Sequence, residues 1–290
     1  MSDIQEQQFD RDTMPFVAPC RTLSPLDPFR WIRWGITDLM QAPRESMLYG
    51  LFMAIIIATV SVAAWNFGTH WLMIAMLSGF VFLAPLTCIG LYAISAQLER
   101  GQPVSLIRTL RAAFKRHFGN EMIFAVALLV IFLVWARAGL MVSVFLPDGA
   151  NAELIDLRTY LAVGTVVGAI FAAVTFSASA FALPMIMHRD VDTVTAIVTS
   201  VNAVLRNKLA MVVWLSLIML GLLLGLFTAF FGLIVILPVI GFAAWHGYLQ
   251  TIDADAFPRH EVGITAIPRE YKPEEGDEIG PDAGSEDDRA

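Results

Sequence analysis

The sequence predicts an all-α polytopic membrane protein: six transmembrane helices forming three hairpins, with amphipathic interfacial helices between and beside them. Three observations carry this. Hydrophobic residues make up 57% of the 290 and charged residues only 16%, with a mean hydropathy of +0.66, a balance foreign to soluble domains. Apolar runs of about 18 residues or more recur, and a helix of that length crosses a hydrocarbon core about 30 Å thick while satisfying its own backbone. Lysine and arginine collect in alternate links between these runs, which fixes an orientation in the membrane.

Residues 1–23 are polar, contain Pro15 and Pro19, and read as a disordered cytoplasmic arm. They lack the basic region, apolar core and cleavage site of a signal peptide, so the first span is expected to act as an uncleaved insertion signal. A helix near 27–40 comes next, with Asp27 suited to its N-cap and Pro28 to its first position. Phe29, Ile32, Ile36 and Leu39 recur at helical spacing, Arg30, Arg33 and Thr37 fall on another side, and Trp31 and Trp34 lie between. Such a helix suits the membrane interface, or a seat on the rest of the protein.

Gln41-Ala42-Pro43 breaks the chain before span one, about 46–65, and an uncharged link leads to span two, about 71–95. A second amphipathic helix near 103–118 places Ile107, Leu110, Phe114 and Phe118 on one stripe. Arg108, Arg111 and Lys115 form another, with Arg116 nearby. This is a candidate lipid-facing basic surface, each cation worth roughly 1 kcal/mol beside an anionic leaflet. Span three, about 121–146, ends at the turn Pro147-Asp148-Gly149. Span four, about 159–187, exceeds the roughly 20 residues a crossing needs and is tilted, protruding or kinked at Pro184.

Asp190 or Asp192 can then cap a third connecting helix near 192–206, with Val194, Ile197, Val201 and Leu205 on one face. Spans five and six occupy about 209–231 and 232–250. Residues 253–290 read as an acidic, disordered cytoplasmic tail, with nine acidic residues between 270 and 288 that account for the net charge of −7. The membrane domain is thus 24–252.

Of the 19 lysines and arginines, five precede span one, five lie between spans two and three, three between four and five, and four follow span six. The positive-inside rule then predicts a multi-pass protein of the bacterial inner membrane with both termini cytoplasmic. Pro85, Pro184 and Pro238 fall one in the second span of each hairpin, as helix kinks and as the mark of a possible repeat.

Within this frame the candidate functional residues are few. Arg137, inside span three, would snorkel or pair with Asp148, Glu153 or Asp156, or else contact an anion or headgroup. His246 and Tyr248, in Trp245-His246-Gly247-Tyr248, stand on the last turns of span six. The histidine would be satisfied by helix–helix hydrogen bonds or interfacial water, or would handle a metal, haem or a proton. Gly164-x-x-x-Gly168 and Gly221-x-x-x-Gly225 permit close packing of spans four and five, or a homodimer seam. Cys20 and Cys88 are expected at different depths, which excludes their pairing. No phosphate loop, nucleophile elbow or metal motif occurs, so no catalytic residue, metal ligand or cofactor is assigned.

The segments Leu23-Ser24-Pro25-Leu26-Asp27-Pro28-Phe29-Arg30-Trp31, Leu98-Glu99-Arg100-Gly101-Gln102-Pro103, His188-Arg189-Asp190-Val191-Asp192 and Leu237-Pro238-Val239-Ile240-Gly241-Phe242 resemble those of a bacterial integral-membrane family, domain of unknown function 2189. The resemblance covers 23–252 and implies the membrane fold without an activity. The expected function is that of a non-enzymatic accessory, scaffold or lipid-interacting factor. A small-solute or ion transporter or channel is the first alternative, and a metal- or haem-binding redox accessory the second. The expected partners are the phospholipid bilayer and a membrane-protein partner or second copy, not nucleic acid.

Overall fold

The computed structural model describes residues 15–67, 86–101, 104, 119–142 and 154–258. Its helices are α1 (Asp27–Gln41), α2 (Pro43–Phe67), α3 (Ile89–Glu99), α4 (Gly119–Val142), α5 (Leu154–Ser179), α6 (Ala182–His188), α7 (Thr193–Arg206), α8 (Lys208–Phe227) and α9 (Leu233–Thr251). Among the described residues five stretches are long and apolar enough to cross a membrane: Pro43–Ala63, Gly119–Val142, Arg158–His188, Lys208–Phe227 and Leu233–Thr251. They correspond to expected spans one, three, four, five and six. Most of expected span two, including Pro85, lies outside the described residues, as does the basic helix with Arg108, Arg111, Lys115 and Arg116. An all-α polytopic membrane protein is what the described chain builds.

The axis of the fold is α9. Its second half is enclosed, with Phe242, Ala243, Trp245 and Tyr248 buried, and α1, α2, α3, α6 and α8 all pack on it. Two glycines set the closest crossings. A Cβ on Gly35 of α1 would lie 2.6 Å from the Val239 carbonyl oxygen, so only glycine lets α1 lie so close along α9. A Cβ on Gly50 of α2 would collide with the Ile234 carbonyl. That carbonyl is the one Pro238 leaves without its usual i+4 donor, because proline has no N–H and its ring pushes the group outward. Pro238 therefore sits inside a continuous α9, its displaced carbonyl accommodated by the missing side chain of Gly50.

Pro184 acts differently. Sequence reading places the kink at Pro184 itself, but the helix ends at Ser179 and restarts at Ala182, upstream of the proline. Pro184 occupies the first turn of α6, where an N–H is not needed. The ladder bond that would join Phe181 N–H to the Ser177 carbonyl is replaced by the hydroxyl of Ser200 on α7. This hydroxyl accepts from Phe181 N–H at 3.1 Å and donates to Ser177 O at 2.8 Å. One serine thus splices the broken span and ties it to α7. Pro184 and Pro238 hold different positions in their helices, so they do not mark one repeated unit.

The structure fixes which face of α1 and of α7 meets the protein, a point their apolar stripes left open. Asp192 caps α7 as expected, accepting from Thr195 N–H at 2.9 Å. The buried face of α7, however, is Thr193, Ala196, Thr199, Ser200 and Ala203, while Val194 and Leu205 of the apolar stripe are exposed. In α1 the buried residues are Asp27, Pro28, Trp31, Gly35 and Asp38, while Phe29, Ile36 and Met40 face outward. Small and polar side chains fill the contacts between helices and the apolar ones are left for lipid, as membrane packing favours. Asp27 is not the N-cap; it stands in the first turn, accepting from Ser24 N–H at 2.7 Å and pairing with Arg30 at 3.1 Å.

The two terminal segments extend the ordered body beyond its expected limits. Residues 18–23, expected in the loose arm, are fastened down. Ala18 N–H donates to Thr199 Oγ1 at 3.1 Å, Arg21 N–H to Thr251 O at 2.8 Å, and Leu23 N–H to Asn207 Oδ1 at 2.8 Å. Residues 253–258, expected in the tail, return across the same end, with Asp253 N–H donating to Pro19 O and Asp190 N–H to Pro258 O, both at 2.9 Å. Phe257 is buried beneath them. Backbone hydrogen bonds, to buried Thr199 and Asn207 in the first strap and to Pro19 and Asp190 in the second, hold these segments together with the buried apolar side chains of Ala18, Cys20, Ala254 and Phe257.

Candidate functional site

The strapped end of the bundle holds two polar centres on α9. The first forms because Gly35 lets α1 lie against α9, which puts Asp38, one turn further, beside His246. His246 Nε2 lies 2.9 Å from Asp38 Oδ2, and Ser95 of α3 donates its hydroxyl to the same oxygen. The Trp34 ring stands 5.6 Å from the imidazole. Asp38 is buried and His246 half-buried. Ser95 and His246 converge on one carboxylate, so the imidazole does not serve the hydroxyl as a base; the arrangement is a three-helix clamp rather than a nucleophilic triad.

The second centre surrounds Tyr248. Its hydroxyl lies 2.9 Å from His188 Nδ1, with the two rings nearly perpendicular. Trp245 packs against both, stacks on Tyr92 at 6.3 Å, and donates its indole N–H to Glu99 Oε2 at 3.3 Å. Next along the chain, buried Arg189 reaches the C-terminal strap, donating to Asp255 Oδ1 at 2.7 Å and to Phe257 O at 2.8 Å. Its Nε is buried with no hydrogen-bond partner among the described residues. Cys20, in the N-terminal strap, has its thiol pKa raised by burial, against a lowering pull from Arg206.

His246 and Tyr248 are therefore satisfied within the helix packing, each by a partner on another helix, Asp38 and His188. Sequence reading missed Asp38, Ser95, Arg189, Asn207 and Ser200. The usable signal was His246 itself, since an imidazole in an apolar run calls for a polar partner. Among the described residues no group of three or more His, Cys, Asp and Glu side chains is placed to hold a metal ion.

The remaining candidates lie apart. Arg137 is exposed on α4; its proposed partners Asp148 and Glu153, and the side chain of Asp156, lie outside the described residues. Gly221 and Gly225 of α8 pack against α9, where a Cβ on Gly221 would be 3.0 Å from Ile236 and one on Gly225 would collide with Leu233. The nearest described neighbour of Gly164 is Val142 of α4, at 3.7 Å from a built Cβ, and Gly168 has none within 4 Å. Gly221 and Gly225 thus permit close packing of α8 on α9, while Gly164 and Gly168 make no close contact with α8 among the described residues.

Beside the first centre lies an open hollow of about 320 Å³, lined by Trp34, His246, Leu249 and Gln250. Gln250 spends its Oε1 on the Trp31 indole N–H at 2.6 Å.

No curated protein and no solved structure gives a significant match to the chain. A family model does match, over residues 72–188, which is shorter than the 23–252 over which the sequence resemblance was read. That model is the one described as predicted integral membrane protein (DUF2189).

Proposed function

We propose that the protein is a non-enzymatic membrane scaffold of the bacterial inner membrane. Its strapped end faces the cytoplasm and engages anionic lipid through the basic surface of Arg108, Arg111, Lys115 and Arg116. The observation that carries this reading is how the polar side chains of the described end are used. Asp38, Ser95, His246, His188, Tyr248, Thr199, Ser200 and Asn207 bond one another, the backbone or the terminal straps, so they build a rigid platform. The alternation of basic links supplies its orientation.

The transporter reading requires a path between spans two, three and six. Where those elements are described, Leu91, Ile94 and Phe242 form one buried apolar cluster, and Tyr92, Phe124, Leu128 and Trp245 belong to another. Such filling favours a scaffold.

The test uses the full chain in nanodiscs of equimolar phosphatidylcholine and phosphatidylglycerol, with co-retained lipid read by native mass spectrometry. The scaffold reading predicts preferential retention of phosphatidylglycerol, cut by the joint change of Arg108, Arg111, Lys115 and Arg116 to Gln. Equal retention by the altered protein, or selective solute flux through the intact one in sealed vesicles, overturns it.

A further inference from the structure

We propose that the outward flank of α1, formed by Arg30, Arg33 and Trp34 and continued by the hollow at His246, Leu249 and Gln250, binds the phosphate headgroup of an anionic phospholipid. This deepens the lipid-engaging reading on a different helix and is tested separately from it.

Placement comes first. Only Ala42 separates α1 from α2, and α2 is apolar enough to cross the membrane from Pro43 onward. Helix α1 is thereby held at the hydrocarbon boundary, and it cannot roll there, because Trp31, Gly35 and Asp38 are locked against α9.

Rotation at 100° per residue then fixes what α1 offers outward. Ile36, Phe29 and Met40 form an exposed apolar flank, and Arg33, Thr37 and Arg30 follow around the helix as a polar flank that reaches Trp34. Apolar side chains beside cations suit acyl chains beside a phosphate, with a tryptophan at the boundary. A soluble phosphate would gain nothing from Phe29, Ile36 and Met40, so the occupant is a lipid.

The local charges agree. Asp38 is turned inward to Ser95 and His246, and Asp27 is paired with Arg30, which leaves the guanidinium of Arg33 to set the sign of the flank. In the hollow, Gln250 has its Oε1 engaged by the Trp31 indole, leaving its amide N–H to donate to a headgroup.

The experiment compares wild-type full chain with Arg33→Gln and Trp34→Ala in nanodiscs of equimolar phosphatidylcholine and phosphatidylglycerol, reading retained lipid by native mass spectrometry. Arg33→Gln should lower phosphatidylglycerol preference about fivefold, and Arg33→Lys should restore most of it. Trp34→Ala should weaken retention of both lipids. Arg33 is exposed and makes no described contact across helices, so Arg33→Gln should unfold at the wild-type temperature; Arg30→Gln is avoided because it strips buried Asp27 of its ion pair. Unchanged preference in Arg33→Gln overturns the proposal, as does displacement of the retained lipid by inorganic phosphate. If preference survives here but falls on neutralising Arg108, Arg111, Lys115 and Arg116, the α1 site is wrong and the scaffold reading stands.

Discussion

Helices α9 and α4 are both long and apolar enough to cross a membrane, yet half of the α9 window is buried inside the protein and only 11% of the α4 window. Helix α9 is the less apolar of the two, with a mean hydropathy of 1.6 against 2.4, and what encloses it is the presence of Gly241 and Gly247, which admit Leu91 and Trp31, and of His246 and Tyr248, which bond to α1 and α6. On α4 the large side chains Met122, Ile123, Leu129, Val130 and Leu133 are exposed. In a membrane protein the buried positions are those where small and polar residues interrupt the apolar run, since apolar surface is at no disadvantage in lipid.

The largest expected effect follows from that contrast. Trp31→Ala empties a site where Trp214 and Phe181 meet edge to face at 5.5 and 6.3 Å, and should lower the free energy of unfolding by about 3–5 kcal/mol. Phe227→Ala and Phe231→Ala, at the exposed turn between α8 and α9, should stay within about 0.5 kcal/mol. Chemical unfolding in bicelles measures all three, and a similar loss at both places would erase the distinction.

A smaller effect separates the glycines. Gly50→Ala sets a methyl against the Ile234 backbone and should cost about 1–3 kcal/mol. Gly168→Ala, with open space among its described neighbours, should be neutral or stabilise α5 by up to about 1 kcal/mol. Ser200→Ala removes the splice between Phe181 N–H and Ser177 O and should cost about 1–2 kcal/mol; Ser200→Thr, if its methyl is accommodated, should recover part of it. Smallest in energy is the orientation test: a fluorescent-protein fusion at the C-terminus should fluoresce and an alkaline phosphatase fusion there should be inactive, the reverse pattern contradicting a cytoplasmic strapped end.

The membrane class and five spans could be read from hydropathy, because crossing a bilayer imposes length and apolarity on a contiguous run. The capping of α7 by Asp192 was also legible, since a cap is a local bond. Which face of α1 and of α7 meets the protein was not legible, because periodicity locates an apolar stripe without saying whether lipid or protein meets it. Residues 18–23 and 253–258 were taken as loose for a related reason. Their composition is polar, and what fixes them is pairing with groups distant in sequence: Thr199, Asn207 and Thr251 for 18–23, and Pro19, Arg189 and Asp190 for 253–258. The clamp at Asp38 was hidden likewise, with its members at 38, 95 and 246.

The central claim is that the two terminal segments and the polar end of α9 form one locked body, in contrast to the apolar hairpins beyond it. Amide hydrogen exchange of the full chain in nanodiscs tests this most directly at residues 18–26 and 251–258. Both segments should exchange about as slowly as α7, the first because Thr199 and Asn207 bind it and the second because Pro19, Arg189 and Asp190 do, and Asn207→Ala should release the first. Exchange at both segments as fast as a free chain in the wild-type protein would contradict the account.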